Sequence, residues 1–343
     1  MDTLLTGSSG YIGSRLASEL VEAGEKVKGV DRLNGSPEEL DAFVHGDLCD
    51  LDTAREAVSN TERILHLAAA KGDWGITEEE YYRDNLEATR VLIEAGKEAG
   101  IKDWVFYSTV SVLGPSYDAI GEEAPMKPIN PYGASKAEAE KLFRDLAQEN
   151  PEVRVLIIRP SVVYGPGNPD STNIYRLIDA IYNSRFAMVG EGEAIKSTSY
   201  IDNLLHATHF LIEKAFGGKE KSGVQTYIYV DEPALTTATL VKRIYRLLGK
   251  DEPSWHIPLS IASPVAKISD IAASLTGIDL PITAARIEKF NRSTNFDGSK
   301  IRKSGFTQPV SNQKALRETV EWHLRTVYGG SIKVAKDGQS TVV

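Results

Sequence analysis

Hydrophobic and polar positions change rhythm along the first half of the chain: short apolar runs alternate with longer stretches of helical period. The apolar runs predict strands at Thr3–Thr6, Lys26–Asp31, Ala42–His45, Arg63–Leu67, Asp103–Ser108 and Arg154–Ile158. Between them the helical period predicts helices that include Tyr11–Ala23, Glu78–Ala99 and Tyr132–Gln148. Alternation of this kind is the signature of a parallel sheet joined by crossover helices. Two helix starts carry a hydroxyl residue followed three positions later by Glu, at Ser36-Pro37-Glu38-Glu39 and Thr77-Glu78-Glu79-Glu80, the pattern of a capping box. After Pro160 the rhythm shifts. A turn-rich loop, Gly165-Pro166-Gly167-Asn168-Pro169, is followed by helical runs at Asn173–Asn183, Asp202–Phe216, Thr236–Leu248 and Gln313–Tyr328, with few strands.

The fold class expected is α/β: a doubly wound parallel-sheet Rossmann domain with a smaller, mostly helical C-terminal substrate lobe. The domains expected are 1–164 with 196–230 returning to the sheet, a substrate lobe of 165–195 and 231–330, and a tail of 331–343. The polar segment Asp337–Val343 reads as disordered. No internal repeat is present.

Composition narrows the partners. A formal net charge of −9 argues against nucleic acid, whose phosphates are met by Lys and Arg. A single cysteine, Cys49, excludes an internal disulfide; it reads as a small packing residue in a protein of a reducing, cytoplasmic setting. Neither a signal peptide nor a membrane-spanning run is expected. His206 and His209 share one helix without a third partner, so no metal site is expected.

Three stretches carry chemistry. Thr6-Gly7-Ser8-Ser9-Gly10-Tyr11-Ile12-Gly13 follows an apolar strand and opens a helix. Gly7 suits the tight turn, Gly10 the approach of a pyrophosphate and Gly13 close packing of helix on sheet, with the helix N-terminus facing the phosphates. Asp31 ends the second strand 24 residues after Gly7, where a carboxylate accepts from ribose hydroxyls and repels a 2′-phosphate. That favours NAD over NADP. Arg32 beside it either belongs to a solvated charge pair or takes a 2′-phosphate, which leaves NADP open. Asp47, with Leu48, sits either at the adenine edge or in the turn that starts the next helix. The small residues of His66-Leu67-Ala68-Ala69-Ala70 either let a flat cofactor lie on the backbone or let a helix pack closely.

The most informative stretch is Pro131-Tyr132-Gly133-Ala134-Ser135-Lys136. Tyr and Lys at i and i+4 lie on one helix face. A nearby ammonium and a helix N-terminus both favour the phenolate, so Tyr132 is expected to take a proton from a substrate hydroxyl as hydride leaves its carbon. Upstream, Val105–Tyr107 runs into Ser108, Thr109 and Ser111, hydroxyls that either bind the reacting oxygen or cap the strand.

With these motifs the chain resembles the extended short-chain dehydrogenase/reductase superfamily, specifically its NAD-dependent epimerase/dehydratase group, over roughly residues 3–326. The resemblance rests on the Thr-Gly-x-x-Gly-x-x-Gly loop, Asp31, Asp47, His66–Ala69, Asn85 with Thr89, Ser108-Thr109, Tyr132-x-x-x-Lys136, and Arg159-Pro160 through Tyr164-Gly165-Pro166. Ser199–Leu204 and Asp297–Lys300 through Gly305-Phe306 extend it. It implies Thr109, Tyr132 and Lys136 as catalytic residues. It implies cofactor contacts from Gly7, Ser9, Gly10, Tyr11, Ile12, Gly13, Asp31, Arg32, Asp47, Leu48, Leu67, Ala68, Ala69, Asn85, Ser108, Pro160, Val162 and Val163 as well. Ser111, Asn173 and Lys196 are the substrate-binding candidates, the last two for a diphosphate. A homodimer built through Glu78–Ala99 and Tyr132–Gln148 is also implied. Family dehydratases carry Asp-Glu after the catalytic Thr, where this chain has Val110-Ser111, which argues against dehydration. Many family epimerases carry Asn where this chain has Val162. The resemblance therefore implies epimerisation, dehydrogenation or ketoreduction at a secondary carbinol of a nucleotide-activated sugar. Alternatives are an apolar alcohol of the hydroxysteroid type, with Ile257–Leu275 lining an apolar pocket, or a non-catalytic dinucleotide sensor.

Overall fold

The computed structural model describes residues 2–35, 39–72, 75–170, 172–218, 222–253, 255–262, 264, 284–330, 332–334 and 340–342. Residues 36–38 of the capping pattern and most of Ile257–Leu275 fall outside them.

Strands β1 (Asp2–Thr6), β2 (Lys26–Asp31), β3 (Ala42–His45), β4 (Arg63–His66), β5 (Asp103–Tyr107), β6 (Ser116–Ile120) and β7 (Arg154–Pro160) follow in chain order, then β8 (Val162–Tyr164), β9 (Ile195–Lys196), β10 (Thr198–Tyr200) and β11 (Gly223–Tyr229). A seven-stranded parallel sheet has the order β11-β7-β5-β4-β1-β2-β3. The chain leaves β1 on one side and returns for β4 on the other. The carboxyl ends of these two strands therefore frame a crevice at a topological switch point.

The central strands are buried on both faces; Leu4, Leu5, Ile64, Leu65, Trp104, Val105 and Phe106 are fully enclosed. This is why they read as continuous apolar runs rather than alternating ones. β7 runs two residues beyond the expected Ile158, because Arg159 and Pro160 pair with Ile228 and Tyr229 of β11.

Helices α1 (Tyr11–Glu22), α2 (Leu51–Val58), α3 (Glu78–Tyr82), α4 (Ala88–Glu98) and α5 (Pro131–Glu149) fill the crossovers. The Thr77 capping box forms as its sequence indicates. One continuous helix over Glu78–Ala99 is not what forms: a π turn, Arg83–Glu87, separates α3 from α4 and carries Asn85. α5 is seated by its aromatic face, with Phe143 4.7 Å from the Phe106 ring and 5.8 Å from Trp104. Burial of a side chain of this size contributes about 1.5–3 kcal/mol.

The C-terminal half adds α6 (Asn173–Tyr182), α7 (Ile201–Phe216) and α8 (Thr237–Leu247), and further helices at Ala284–Asn291, Ser299–Lys303 and Asn312–His323. The last of these ends in a second π turn, Leu324–Tyr328, inside the run expected as a single helix. This half holds more strands than its pattern suggests. β9, Leu235–Thr236, Thr294–Phe296 and β6 form a four-stranded sheet, from segments too short to show a period. The tail differs from expectation too: Ser340–Val342 pairs antiparallel with Ile332–Val334, as suits its β-branched Thr341 and Val342. One apolar cluster runs unbroken from Leu5 and Leu65 through Tyr164 and Ile178 to Leu316 and Leu324.

Candidate active site

The crevice between β1 and β4 is shaped by backbone. Gly7 has a φ of +70°, and a Cβ there would meet the Ala68 amide nitrogen at 2.8 Å. A Cβ on Gly13 would stand 2.0 Å from the Gly7 carbonyl oxygen. The loop can thus cross the strand ends only with hydrogen at both positions. α1 is capped by Gly10, which brings no side-chain acceptor to the first-turn amides, and such amides are a ready anion site. Tyr11 donates to the Pro166 carbonyl at 3.1 Å and so ties this loop to the one after β8. Ile12 packs half-buried against the main core.

At the rim, Asp31 accepts from the Ser9 amide and the Leu33 amide, each at 3.0 Å. Arg32 does not reach toward Asp31. Its two terminal nitrogens grip Asp84 at 3.2 and 2.7 Å, and this contact raises the guanidinium pKa. Arg83 bonds both Asp84 and Asp47. Asp47 also accepts from the Cys49 amide at 2.9 Å, while the cap of α2 is Asp50. Asp47 is therefore a turn and ion-pair residue beside the crevice. Leu48 is buried in the core under it. Burial, with the negative charge of Asp47, pushes the Cys49 thiol up to about 11, consistent with a packing residue.

A buried relay links the strand ends to the catalytic helix. Thr6 Oγ1 accepts from the Leu67 and Ala68 amides at 3.1 and 3.0 Å and lies 2.8 Å from His66 Nδ1. His66 Nε2 lies 2.9 Å from Thr89 Oγ1, which donates to the Asn85 carbonyl at 2.7 Å. Both hydroxyl protons are then assigned, so the ring proton sits on Nε2. Burial, with the Lys136 charge, drives the imidazole down to about 3, so His66 is a neutral structural link. Asn85 donates to the Ala70 carbonyl at 3.2 Å and to Ser135 Oγ at 3.0 Å. Its Oδ1, buried, has no protein partner. π turns occur frequently at functional sites, and a buried polar atom without a protein partner calls for a ligand or water. Leu67 and Ala68 are half-buried and Ala69 exposed along the crevice floor.

Asn130 caps α5 by accepting from the Gly133 amide at 2.7 Å, with Pro131 opening the first turn. This fixes Tyr132 at the helix N-terminus. The phenol hydrogen-bonds Thr109, whose hydroxyl also lies 3.2 Å from Ser111 Oγ and accepts from the Ser111 amide. Burial pushes Tyr132 up to about 12, with only the Thr109 bond drawing it down. Lys136, 1% exposed, holds its ammonium 4.0 Å from the Phe106 ring centroid. Burial pulls it down to about 7 against the attraction of Glu140. In this structure the ammonium lies over the Phe106 ring.

Behind Lys136 lies an arrangement that sequence reading missed. Glu140, 0% exposed, accepts from Ser108 Oγ at 2.5 Å and from Arg159 Nε and NH2 at 2.8 and 2.7 Å. Arg159 also donates to the Glu122 carbonyl at 3.1 Å. Glu140 follows Lys136 by one helical turn, and a carboxylate at that spacing is the signal that was available. Ser108 is thereby engaged by Glu140.

The remaining candidates scatter. Pro160 closes β7, Val162 is exposed and Val163 buried. Asn173 is the exposed first residue of α6, and Thr172 is the cap. Lys196 donates to the Arg292 carbonyl at 2.6 Å. His209 pairs with Glu19. Among the described residues no cluster has the makings of a metal site, and no helix is long and apolar enough to cross a membrane.

A glycine cradle at the switch point of a parallel sheet, with a Tyr-x-x-x-Lys helix beside it, defines a short-chain dehydrogenase/reductase of the extended type. The model of the NAD dependent epimerase/dehydratase family matches residues 3–225, and the chain belongs to that family. It is accordingly an NAD-dependent enzyme whose chemistry is hydride transfer. It is 31% identical over 324 residues, 94% of this chain and 95% of the relative, to N-acetyl-α-D-glucosaminyl-diphospho-ditrans,octacis-undecaprenol 4-epimerase of Escherichia coli O157:H7. It is 28% identical over 93% of its length, and 90% of the relative's, to the decarboxylating sterol-4-α-carboxylate 3-dehydrogenase of Mus musculus. The solved structure of MoeE5 in complex with UDP-glucuronic acid and NAD superposes with a TM-score of 0.74 at 28% identity, covering 95% of this chain and all of that one.

Proposed function

We propose that the protein oxidises a secondary carbinol of a diphosphate-activated sugar and returns the hydride to the opposite face, making it a sugar epimerase. The observation that carries this reading is the hydroxyl pair Thr109–Tyr132 at the N-terminus of α5, beside the dinucleotide crevice. NAD, when bound, supplies the hydride acceptor and, once reduced, the donor. Gly7, Gly10 and the first-turn amides of Tyr11, Ile12 and Gly13 hold its pyrophosphate. Asp31 takes the adenosine ribose hydroxyls, with Ser9 positioned by it. Asp47 borders the adenine, and Leu67, Ala68, Ala69, Pro160, Val162 and Val163 line the rest of the bed. Because Arg32 is committed to Asp84, NAD is favoured over NADP.

At the reacting carbon, Thr109 and Ser111 hold the substrate oxygen. Tyr132 as phenolate takes the carbinol proton while the C–H bond gives up its hydride; the ketone then accepts hydride on its other face and the proton from Tyr132. Lys136 supports the phenolate and the nicotinamide ribose after turning from Phe106. Glu140 and Asn85 hold this helix and the π turn against it. Residues 165–195 and 231–330 form the lobe that covers the sugar, with Asn173 and Lys196 toward the diphosphate. We further propose a cytoplasmic homodimer through α4 and α5, whose Ile93 and Leu142 are left half-buried; light scattering of the purified protein tests this.

The function is tested by incubating purified protein and NAD with diphosphate-activated sugars and following products by NMR. Inversion of one carbinol centre without net cofactor reduction is the expected result. Accumulation of reduced cofactor with a keto-sugar would make it a net dehydrogenase, and no change in any sugar would overturn the reading.

A further inference from the structure

The floor of the crevice and the catalytic helix are joined by a short piece of chain that belongs to neither. α3, seated by the Thr77 capping box, buries a single residue, Tyr81, which is 7% exposed. The π turn that follows buries Asn85. Four positions separate the two, a spacing that puts side chains on one side of a helical run, and they grip the same two partners.

Each reaches back to the segment that leaves β4. Asn85 donates to the Ala70 carbonyl at 3.2 Å, and the Tyr81 hydroxyl donates to the Gly72 carbonyl. That segment continues from Leu67 and Ala68, which line the crevice floor. Each also touches the start of α5. Asn85 donates to Ser135 Oγ at 3.0 Å. The Tyr81 ring lies 6.0 Å from the Tyr132 ring, centroid to centroid, and is tilted by 55° to it, within the range at which aromatic rings attract.

The two contacts on α5 act on different things. Ser135 Oγ also donates to the Tyr132 carbonyl at 2.9 Å, so the Asn85 contact steadies helix backbone. The Tyr81 contact falls on the phenol ring itself. A tyrosine ring turns about two bonds, and the single hydrogen bond at its tip, to Thr109, does not fix the plane of the ring. The Tyr81 ring supplies the second point of contact.

We infer that Tyr81 is a positioning residue for the hydride-transfer step: its ring holds the Tyr132 phenol toward Thr109, and its hydroxyl holds the floor on which the cofactor rests. The inference rests on the reading of Tyr132 as the proton acceptor and adds the side chain that places it.

Two variants divide the roles. Tyr81→Phe keeps the ring and removes the tether to Gly72; Tyr81→Leu removes both. The full-length protein is titrated with NAD by calorimetry, and turnover of UDP-glucose and of UDP-N-acetylglucosamine is followed at saturating NAD. Both variants should bind NAD about fivefold more weakly, as for the loss of one hydrogen bond. Only Tyr81→Leu should lower kcat, by about tenfold, with KM for the sugar unchanged, because a displaced reacting group costs rate rather than binding. Tyr81→Phe should keep the wild-type kcat. A residue that serves folding alone lowers the number of NAD-binding sites and leaves kcat per site where it was. Wild-type kcat per site in Tyr81→Leu, an equal fall in both variants, or NAD affinity unmoved in both overturns the inference and leaves the sugar reading standing. Silence of the unaltered enzyme on both sugars counts against the sugar reading instead, and the NAD titrations then decide this inference. Tyr81→Phe, which keeps the volume of the side chain, gives that answer even where Tyr81→Leu fails to fold.

Discussion

At the dinucleotide end of the cleft, Thr6, His66, Thr89 and Asn85 form a chain of short contacts in which nearly every buried polar atom has a partner, and Asn85 Oδ1 is left without one. At the far end, Tyr117, Ile129 and Leu259 leave apolar surface in solvent while the polar groups among them turn back to the backbone. The first end is built for a ligand of fixed shape and many hydrogen bonds. The second presents large apolar side chains to solvent at its opening. A fold that hosts many substrates can keep the former unchanged and vary the latter.

The largest effect expected from breaking the polar end is at Tyr132. Tyr132→Phe removes the proton acceptor and leaves the cradle untouched, so turnover falls by about 10²–10⁴-fold while NAD affinity, read by calorimetry, holds. Loss of both together would mean that Tyr132 acts mainly in cofactor binding.

Next in size is Glu140→Gln. It leaves the Arg159 guanidinium buried without its counter-charge, a change that destabilises by about 3–5 kcal/mol, visible as a lower urea midpoint. The double variant Glu140→Gln/Arg159→Met removes both charges and should recover most of that loss. If the single variant is as stable as wild type, the pair does not hold α5 in place.

A smaller effect belongs to the rim. Asp31→Ala deletes an acceptor for ribose hydroxyls and should weaken NAD by about tenfold or more, as for hydrogen bonds to charged groups. Adding Asp84→Ala frees Arg32 and should improve NADP relative to NAD. An unchanged cofactor ratio in the double variant would show that Arg32 does not reach the 2′ position.

Of a different kind is a pH slope. Lys136 titrates near 10.5 in the unfolded chain and is pulled to about 7 by burial. Between those values the unfolded chain binds more protons, so stability rises as pH rises from about 7 toward 10; below 7 both states are protonated and the full penalty applies. Without added NAD, the stability difference between wild type and Lys136→Met should therefore move in favour of wild type with rising pH. A flat difference would mean that the ammonium is solvated.

The polar end was largely legible in the sequence because its determinants are local. Gly7, Gly10 and Gly13 sit within one loop, Tyr132 and Lys136 one helical turn apart, and the strands they follow are apolar runs. What escaped was set by distant partners: Arg32 is claimed by Asp84 across 52 residues and Glu140 by Arg159 across 19. The π turn at Asn85 leaves no mark on a helical period that continues on both sides of it. In the C-terminal half, strands of two or three residues carry no alternation to read. The apolar far end was anticipated only through Ile257–Leu275, of which the described part supplies Leu259 to the cavity it shares with Tyr117 and Ile129.

The central claim, hydride removed and returned at one carbon under the control of Tyr132, is tested most directly with a substrate deuterated at the carbinol carbon. Turnover in ordinary water should give an epimer that retains deuterium at that carbon, because the label rides on the bound cofactor and returns. An epimer in which the deuterium has been replaced by solvent hydrogen would contradict it, showing that the centre inverts by proton abstraction instead.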